Sequence, residues 1–431
     1  MRFVLRVSLC LGGLCALLSA QGPETKQLLV VDDLIQRAVD RSRDLLALRQ
    51  RIAEAKGLQR QAGAKPVPTL EFSASTGRPL ATKGEEEYSA GYFYPLETAG
   101  KREKRVRVAD KEVQLAEAEL AERVRQIMFE IKSRFADAVA EQRKLEVIDQ
   151  LIQVNRDAIR LTQARVDQGD AAPLERDLLA VESSRAEALR ASIAGRLKTD
   201  LLDLRRLSAL DAVEAVSPRN FPAAPTSAMA VPELERQALK IRPDLLIARL
   251  LEEEGRASLD LAEAEGKPNV TLSARYARRN SRFDDQLGLS SSGAPAQLRD
   301  RDDIVTLGVS IPLLNRNRNL GNIEAAAARQ TGARLRRQYL ESAVPIEVQA
   351  AWERYVAARN ALGVYNQGIV EQSEKNLNVI RQAYTLGQLR ILDVLNEQRR
   401  MIDAQLSAID ASAEEARALA ELVRAVGGNL P

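Results

Sequence analysis

The sequence contains an internal repeat of about 200 residues, and this repeat limits the possible folds more than any other feature. Corresponding residues keep a nearly constant separation within each block, and the separation increases by 15 positions only between the second and third pairs. The pairs are Asp44 and Asp244 (200 apart), Leu70 and Leu272 (202), Pro95 and Pro312 (217), and Gly169 and Gly387 (218). A loop insertion in one half explains the increase. The chain is therefore predicted to contain two copies of one supersecondary unit.

Each half is predicted to begin with two helices. In the first half, the spacing of Val31, Leu34, Ile35 and Ala38 is typical of an amphipathic helix. Prolines at the ends of the second helices favour their termination there. The predicted ranges are 28–44 and 45–62 in the first half, and 231–241 and 242–267 in the second.

The hydrophobic period then changes from about 3.6 residues to two, which predicts four strands. Apolar residues alternate with small polar ones in the segments 69–76, 88–94, 270–276 and 305–311. A short loop is predicted between the first two strands, and a long polar loop over residues 278–303 between the last two. Pro95 and Pro312 are predicted to mark the strand-helix junctions.

Long helices follow each strand pair. The first is predicted over residues 101–168, about 100 Å at 1.5 Å per residue, and packs along a returning helix over 173–207. In the second half, a helix over 319–384, bent at Pro345, returns as a helix over 389–426. Apolar residues recur at intervals of seven in the first helix, which favours supercoiling: Val124, Ile131, Ala138, Leu145, Ile152, Ile159 and Val166.

Two glycines are predicted to close the helical hairpins. Gly169 and Gly387 end the long helices, because glycine adopts the left-handed C-terminal conformation at little cost. After the first turn, an apolar stripe is predicted at Leu174, Leu178 and Val181; after the second, the corresponding residues are Ile391, Leu392 and Leu395.

The N-terminus has the pattern of a secretory signal. Arg2 and Arg6 precede an apolar run over residues 7–18, and cleavage is expected near Ala20. Cys10 and Cys15 both lie in this segment, and each follows Leu, which disfavours lipidation. The predicted divisions are residues 1–20 as signal peptide, 21–208 as first repeat, 209–230 as proline-rich connector and 231–431 as second repeat.

Composition argues against nucleic-acid binding and against catalysis. Without the signal, 61 basic residues face 60 acidic ones, so no basic footprint for nucleic acid remains. The mature chain has no His and no Cys, and it carries neither a phosphate-binding loop nor a nucleophile elbow. The sequence predicts a protein that is not an enzyme and has no cofactor or metal site.

The four predicted strands fit a wall between lipid and water. An open sheet edge in hydrocarbon leaves backbone groups unpaired at several kcal/mol each, so several chains would have to share one barrel. Both strand pairs begin and end next to helices, which places all helices on one side. The helices would then form a tunnel continuous with the barrel.

In this order of elements, the chain resembles the TolC-like outer-membrane efflux family. The resemblance covers nearly the whole mature chain and rests on RPDLLIAR followed by KPNVTLSARY, on the strand exits YFYPLETAGKR and VSIPLLNRNRNLG, and on AYTLGQLRILDVLNEQ. It implies a mainly α fold with a small β part, in duplicated helix-helix-strand-strand-helix-helix halves. It also implies a homotrimer with a twelve-stranded transmembrane β-barrel in the outer membrane and a periplasmic helical tunnel.

The resemblance also implies roles for residues near the two turns. Asp393 matches a pore-facing carboxylate, while Asn396 stands where relatives carry a second one. Tyr384 and Glu175 match positions of a periplasmic gate; Leu389 replaces its usual basic residue, and Arg390 beside it could reach Glu175 or another partner. The hairpin tips implied to dock an adaptor carry Gly169, Asp170, Gly387, Gln388 and Leu389.

The resemblance implies an outer-membrane efflux channel that works with a periplasmic adaptor and an RND-type inner-membrane pump. A duct for type I protein secretion and a periplasmic coiled-coil adaptor are the alternatives. Small molecules, metal ions and polypeptides all remain possible substrates. The sequence as a whole resembles the branch of the family that serves heavy-metal pumps. Its only soft-metal ligands after the signal, however, are Met128, Met229 and Met401.

Overall fold

The computed structural model describes residues 29–76, 85–211, 214, 216–221, 230–313 and 319–428. The predicted signal peptide with both cysteines, the loop between the first two strands and much of the proline-rich connector lie outside the described residues. None of the helices in the described ranges combines the length and the hydrophobicity of a membrane-spanning helix.

The same element order occurs twice along the chain. The first half contains α1 (Val31–Arg41), α2 (Arg43–Ala62), β1 (Thr69–Thr76), β2 (Glu85–Leu96), α3 (Lys101–Asp167) and α4 (Pro173–Leu207). The second contains α5 (Val231–Ile241), α6 (Pro243–Glu265), β3 (Val270–Leu289), β4 (Pro295–Ser310), α7 (Leu320–Val364), a π-helical turn (Tyr365–Ile369), α8 (Val370–Thr385) and α9 (Ile391–Val426).

Equivalent positions in the two halves are buried in the same way. Leu34 and Leu234 are both fully buried, as are Ala38 and Ala238, 200 positions apart. The first core cluster joins α1, α2, α3 and α4, and the second joins α5, α7 and α9. The periodicity that suggested the repeat thus corresponds to two equivalent hydrophobic cores.

The four strands form one antiparallel sheet in the order β1-β2-β3-β4, so the two halves meet where β2 pairs with β3. β1 pairs with β2 up to Phe93, and Pro95 therefore has a strand partner, Thr271, on one side only. The missing N–H of Pro95 is tolerated there because no ladder hydrogen bond is needed on the other side. β2 continues one residue beyond Pro95, whereas Pro312 follows the end of β4.

The predicted long loop over residues 278–303 is wrong. β3 and β4 continue as a paired hairpin, and the turn occupies residues 290–294, where Gly293 has a φ of +77°. Polar residues support this extension by pairing across it: Arg278 Nε donates to Asp303 Oδ1 at 2.7 Å. The polarity that suggested a loop belongs to a solvated ribbon.

Side chains on the two faces of the sheet differ sharply. One face, called here the apolar face, carries Leu70, Phe72, Ala74, Tyr88, Ala90, Tyr92, Tyr94, Leu272, Ala274, Tyr276, Val305, Leu307 and Val309. Its largest side chains are exposed, with Phe72 at 74% and Leu307 at 79%. The opposite face carries small residues such as Ser73 and Gly308 together with charged ones such as Glu71 and Arg275; a Cβ on Gly308 would lie 2.7 Å from Ser273 Oγ.

The long helices match their predicted ranges closely, but two details differ. α7 continues without a break through Pro345, and the helix changes to π-helical hydrogen bonding at residues 365–369, which the sequence did not predict. On α4, Leu174 and Val181 are 65% and 57% exposed, while Leu179 is buried. Leu174 and Val181 of the predicted stripe therefore do not pack within the chain, because α4 has apolar residues on two faces and the face with Leu179 is the buried one.

Candidate functional site

The two hairpin tips close with the same backbone motif. In the first tip (residues 168–172), the N–H of Gly169 donates to Val166 O at 3.0 Å and that of Asp170 to Arg165 O at 2.8 Å. In the second tip (residues 386–390), equivalent bonds at 2.9 Å run from Gly387 and Gln388. These are Schellman motifs, and the φ values of +82° and +73° explain the two glycines.

Tyr384 connects the second hairpin to the first. Its hydroxyl donates to Glu175 Oε2 at 2.9 Å and accepts from Arg165 Nη1 at 3.3 Å. Arg165 also donates to Asp170 O at 3.3 Å, so it braces the first tip as well. Burial and the hydrogen bond to the Glu175 carboxylate raise the pKa of Tyr384, and a tyrosine hydroxyl is protonated at neutral pH even without this shift. Tyr384, Glu175 and Arg165 are called the latch below.

The sequence did not identify Arg165 as the basic residue that contacts Tyr384, and pointed to Arg390 instead. The side chain of Arg390 makes no hydrogen bond or ion pair with any described residue of the chain. One signal was available: Arg165 lies in the last turn of α3, and its repeat equivalent is Ala383, next to Tyr384. The two halves therefore contribute complementary residues one position apart in the repeat.

Asp393 caps the N-terminus of α9. Its Oδ2 accepts a hydrogen bond at 3.0 Å from the backbone N–H of Arg390. A carboxylate in the first turn also interacts favourably with the helix dipole. Asn396 lies three residues later on the same side of α9, and both side chains are exposed. The pair is thus available to a space outside the single chain, as are Gln388 and Leu389 at the tip.

Beyond the latch, α9 is tied to α3 and α4 by polar contacts that sequence reasoning did not find. Gln398 Nε2 donates to Asn155 Oδ1 at 3.1 Å, and the Asn155 side chain is almost completely buried. Arg399 Nε donates to Glu182 Oε2 at 3.0 Å, and this bond lowers the pKa of Glu182. These contacts join residues more than 200 positions apart, so spacing along the chain could not reveal them.

A cluster of acids lies further along α3 and α4. Asp200 faces Asp137, Glu141 and Asp203, and its nearest cation, Arg134, lies 3.9 Å away and is shared with two of these acids. Burial and then the charge of Asp137 raise the pKa of Asp200 to about 6. Nowhere in the described part of the chain do three His, Cys, Asp or Glu side chains form a group that could hold a metal ion.

Asp200→Asn is expected to stabilise the protein at pH 7.5 and to have little effect at pH 4. The folded pKa is about 6 against an ordinary 3.8, so the ionised carboxylate opposes folding above pH 6, and this penalty disappears as the pH falls below 4. Because Asp200 is partly solvated, we expect a gain of about 1–2 kcal/mol per chain. Thermal unfolding midpoints between pH 4 and 8 measure it.

Glu187→Gln, which removes an exposed charge from the same helix, is the control and should show no such pH dependence. A gain for Asp200→Asn that is equal at both pH values would contradict the assigned cause.

Comparisons with known proteins agree with this architecture. Residues 34–209 and 234–428 match the family model described as outer membrane efflux protein. The cobalt-zinc-cadmium resistance protein CzcC of Cupriavidus metallidurans is 21% identical over 402 residues, 93% of this chain and 90% of CzcC. The outer membrane protein TolC of Vibrio cholerae is 25% identical over 354 residues, 80% of this chain and 75% of TolC. The solved structure of the outer-membrane channel OprN superimposes with a TM-score of 0.75 at 19% identity, over 93% of this chain and 90% of OprN.

Proposed function

Because the chain belongs to the outer membrane efflux protein family, a family of transport channels, we propose that it is the passive exit duct of a tripartite efflux system. In this proposal the sheet lies in the outer membrane and the helices extend into the periplasm. The observation that carries it is the exposed apolar face on a sheet continuous with helices of up to 67 residues.

The sheet edges support a shared barrel. Among the described strands, β1 and β4 each have a partner on one side only. In hydrocarbon, those unpaired N–H and C=O groups would cost several kcal/mol each. We propose that β4 of one copy pairs with β1 of the next and that three copies close a twelve-stranded barrel. The same threefold arrangement would bring three copies of α7–α9 around one axis.

At the opposite end, the tips are the proposed docking surface for a periplasmic adaptor, with an RND-type pump in the inner membrane. The exposed side chains of Asp170, Gln388 and Leu389 are available for this contact. The repeat boundaries 21–208 and 231–431, the connector 209–230 and the signal peptide 1–20 remain part of the proposal.

We propose metal ions or small molecules as the exported substrates. The relative CzcC is named for cobalt, zinc and cadmium resistance, which favours a metal pump as partner. A protein-secretion duct is the second candidate, because the same trimeric channel could pass a polypeptide. A purely periplasmic adaptor is disfavoured, because the exposed side chains of Phe72 and Leu307 would then face water.

Asp393→Asn is expected to reduce the cation selectivity of the channel. Three carboxylates around one axis would make a negative constriction, and Asn396 makes this ring less negative than a double acidic ring. Asparagine can still accept the hydrogen bond from Arg390 N, so the helix cap is retained. Reversal potentials in planar bilayers under a KCl gradient should shift towards zero by roughly half or more.

Asp170→Asn removes an acid from the first tip and is the matched control, which should leave the reversal potential unchanged. Absence of channels for the wild-type chain would overturn the proposed function. An unchanged reversal potential for Asp393→Asn would overturn only the role of that carboxylate.

A further inference from the structure

The β3–β4 hairpin continues well beyond the apolar face. The last apolar residues on that face are Tyr276 and Val305, which are cross-strand partners. The next cross-strand pair on the same face is Arg278 and Asp303, which form an ion pair with 2.7 Å between Nε and Oδ1. β1 does not extend as far as this part of the sheet, and the pairing of β3 with β2 ends at residue 281. Beyond residue 281, the β3–β4 ribbon has no described neighbour on its β2 side.

Three arginines follow on the same face of this ribbon. Side chains alternate along a strand, so the register places Arg301 beside Asn280, and then Arg282 directly opposite Arg299. The side chains of these arginines are exposed. None of the three forms an ion pair or a side-chain hydrogen bond with a residue that the structure describes.

Two arginines directly opposite each other in an antiparallel pair repel, which destabilises the ribbon unless an anion lies between them. The other face of the same ribbon differs in this respect, because Arg279 there pairs with Glu87 of β2 at 3.1 Å. Among the described side chains, carboxylates thus pair with Arg278 and Arg279, whereas none forms an ion pair with Arg282 or Arg299.

We propose that Arg282, Arg299 and Arg301 bind the phosphorylated sugar headgroup of an outer-leaflet glycolipid. The inference rests on the proposed outer-membrane location. The apolar face would then contact the acyl chains of the same lipid layer. Guanidinium groups bind phosphate oxygens through paired hydrogen bonds, and this suits a row of arginines.

The height of the arginines favours a glycolipid over a phospholipid. Arg301 and Arg282 lie four and six residues beyond Tyr276 in register. At about 3.3 Å per residue and a strand tilt of about 45°, they stand roughly 9 and 14 Å above it. The headgroup layer of a phospholipid is only about 5–7 Å thick, so its phosphates would lie below the Arg282–Arg299 pair. Phosphates carried on sugars reach that height.

The test compares two double variants of the full-length, detergent-solubilised protein, each of which loses two positive charges. Arg282→Gln with Arg299→Gln removes the opposed pair, and Arg275→Gln with Arg279→Gln removes two arginines from the other face of the same strand. The probes are purified lipopolysaccharide, the same material after phosphatase treatment, phosphatidylglycerol and inorganic phosphate.

We expect the dissociation constant for lipopolysaccharide to rise roughly ten- to thirtyfold in the first variant at low ionic strength and less than about twofold in the second. Phosphatase treatment should weaken binding to the wild type by a similar factor. Thermal stability of the first variant should equal or exceed that of the wild type, because the like-charge contact is removed.

Equal affinity of the wild type and the Arg282/Arg299 variant would overturn the inference. So would an equal loss in the Arg275/Arg279 variant, or displacement of lipopolysaccharide by phosphatidylglycerol or inorganic phosphate at matched phosphate concentration. Channel conductance in bilayers, measured on the same samples, separates this failure from a failure of the proposed function, which would leave the wild type without conductance.

Discussion

Replacing Phe72 by arginine is expected to prevent the chain from assembling in a membrane. Phe72 lies on β1 in the apolar face and is 74% exposed, so it has no core to support in the single chain. An arginine on the lipid face of a transmembrane strand costs about 2–4 kcal/mol near the bilayer centre. In a trimer three copies would carry this cost, about 6–12 kcal/mol in total.

Glu71→Arg provides a stringent control, because Glu71 is the neighbouring residue and points to the opposite face of the sheet. Glu71→Arg introduces the same arginine side chain at a position that already carries a charged group, on the face away from the proposed lipid contact. Membrane fractionation followed by crosslinking should recover trimers of the Glu71 variant and wild type, but not of the Phe72 variant. Equal recovery of both variants would show that the apolar face does not contact lipid.

Removing the hydroxyl of Tyr384 is expected to open the periplasmic end of the proposed channel. Tyr384→Phe deletes the hydrogen bond to Glu175 and the contact with Arg165 while leaving the ring in place. A hydrogen bond to a charged group contributes about 1.5–3 kcal/mol, and we expect about 1–2 here because the site is partly solvated. Over three chains, the closed-to-open ratio should fall by a factor on the order of a hundred or more. Single-channel conductance in planar bilayers measures the change.

Tyr339→Phe is the matched control. Tyr339 lies on α7, and its hydroxyl has no partner among the described residues. Substituting the two candidate basic residues then separates their roles: Arg165→Gln should increase conductance in the same direction as Tyr384→Phe. If only Arg390→Gln did so, Arg390 would act on a neighbouring chain, and the latch within one chain would be refuted.

Much of the fold could be predicted because it depends on local period. The shift from 3.6 to two marked the strands, and the constant separation of equivalent residues marked the duplication; Leu34 and Leu234 then proved to be equivalent core residues. The hairpin turns were predictable for a similar reason, since a left-handed residue after a long helix strongly favours glycine. The start and end of α4 were correct as well.

The errors occurred where two interpretations fit the same residues. Residues 278–303 are polar enough for a loop, and only cross-strand pairing, such as that of Arg278 with Asp303, makes them a ribbon. Leu174 and Leu179 lie on different faces of α4, and the choice of buried face depends on how α4 packs on α3. Local composition does not contain that information.

The sequence by itself determined the order of the helices and strands, because each depends on contacts between residues close together in the chain. Only the tertiary structure decided which side chains meet at the tips. Tyr384, Glu175 and Arg165 come from three helices, and the latch joins positions 209 and 219 residues apart. Such a contact depends on the relative height and rotation of the packed helices, which no local period encodes.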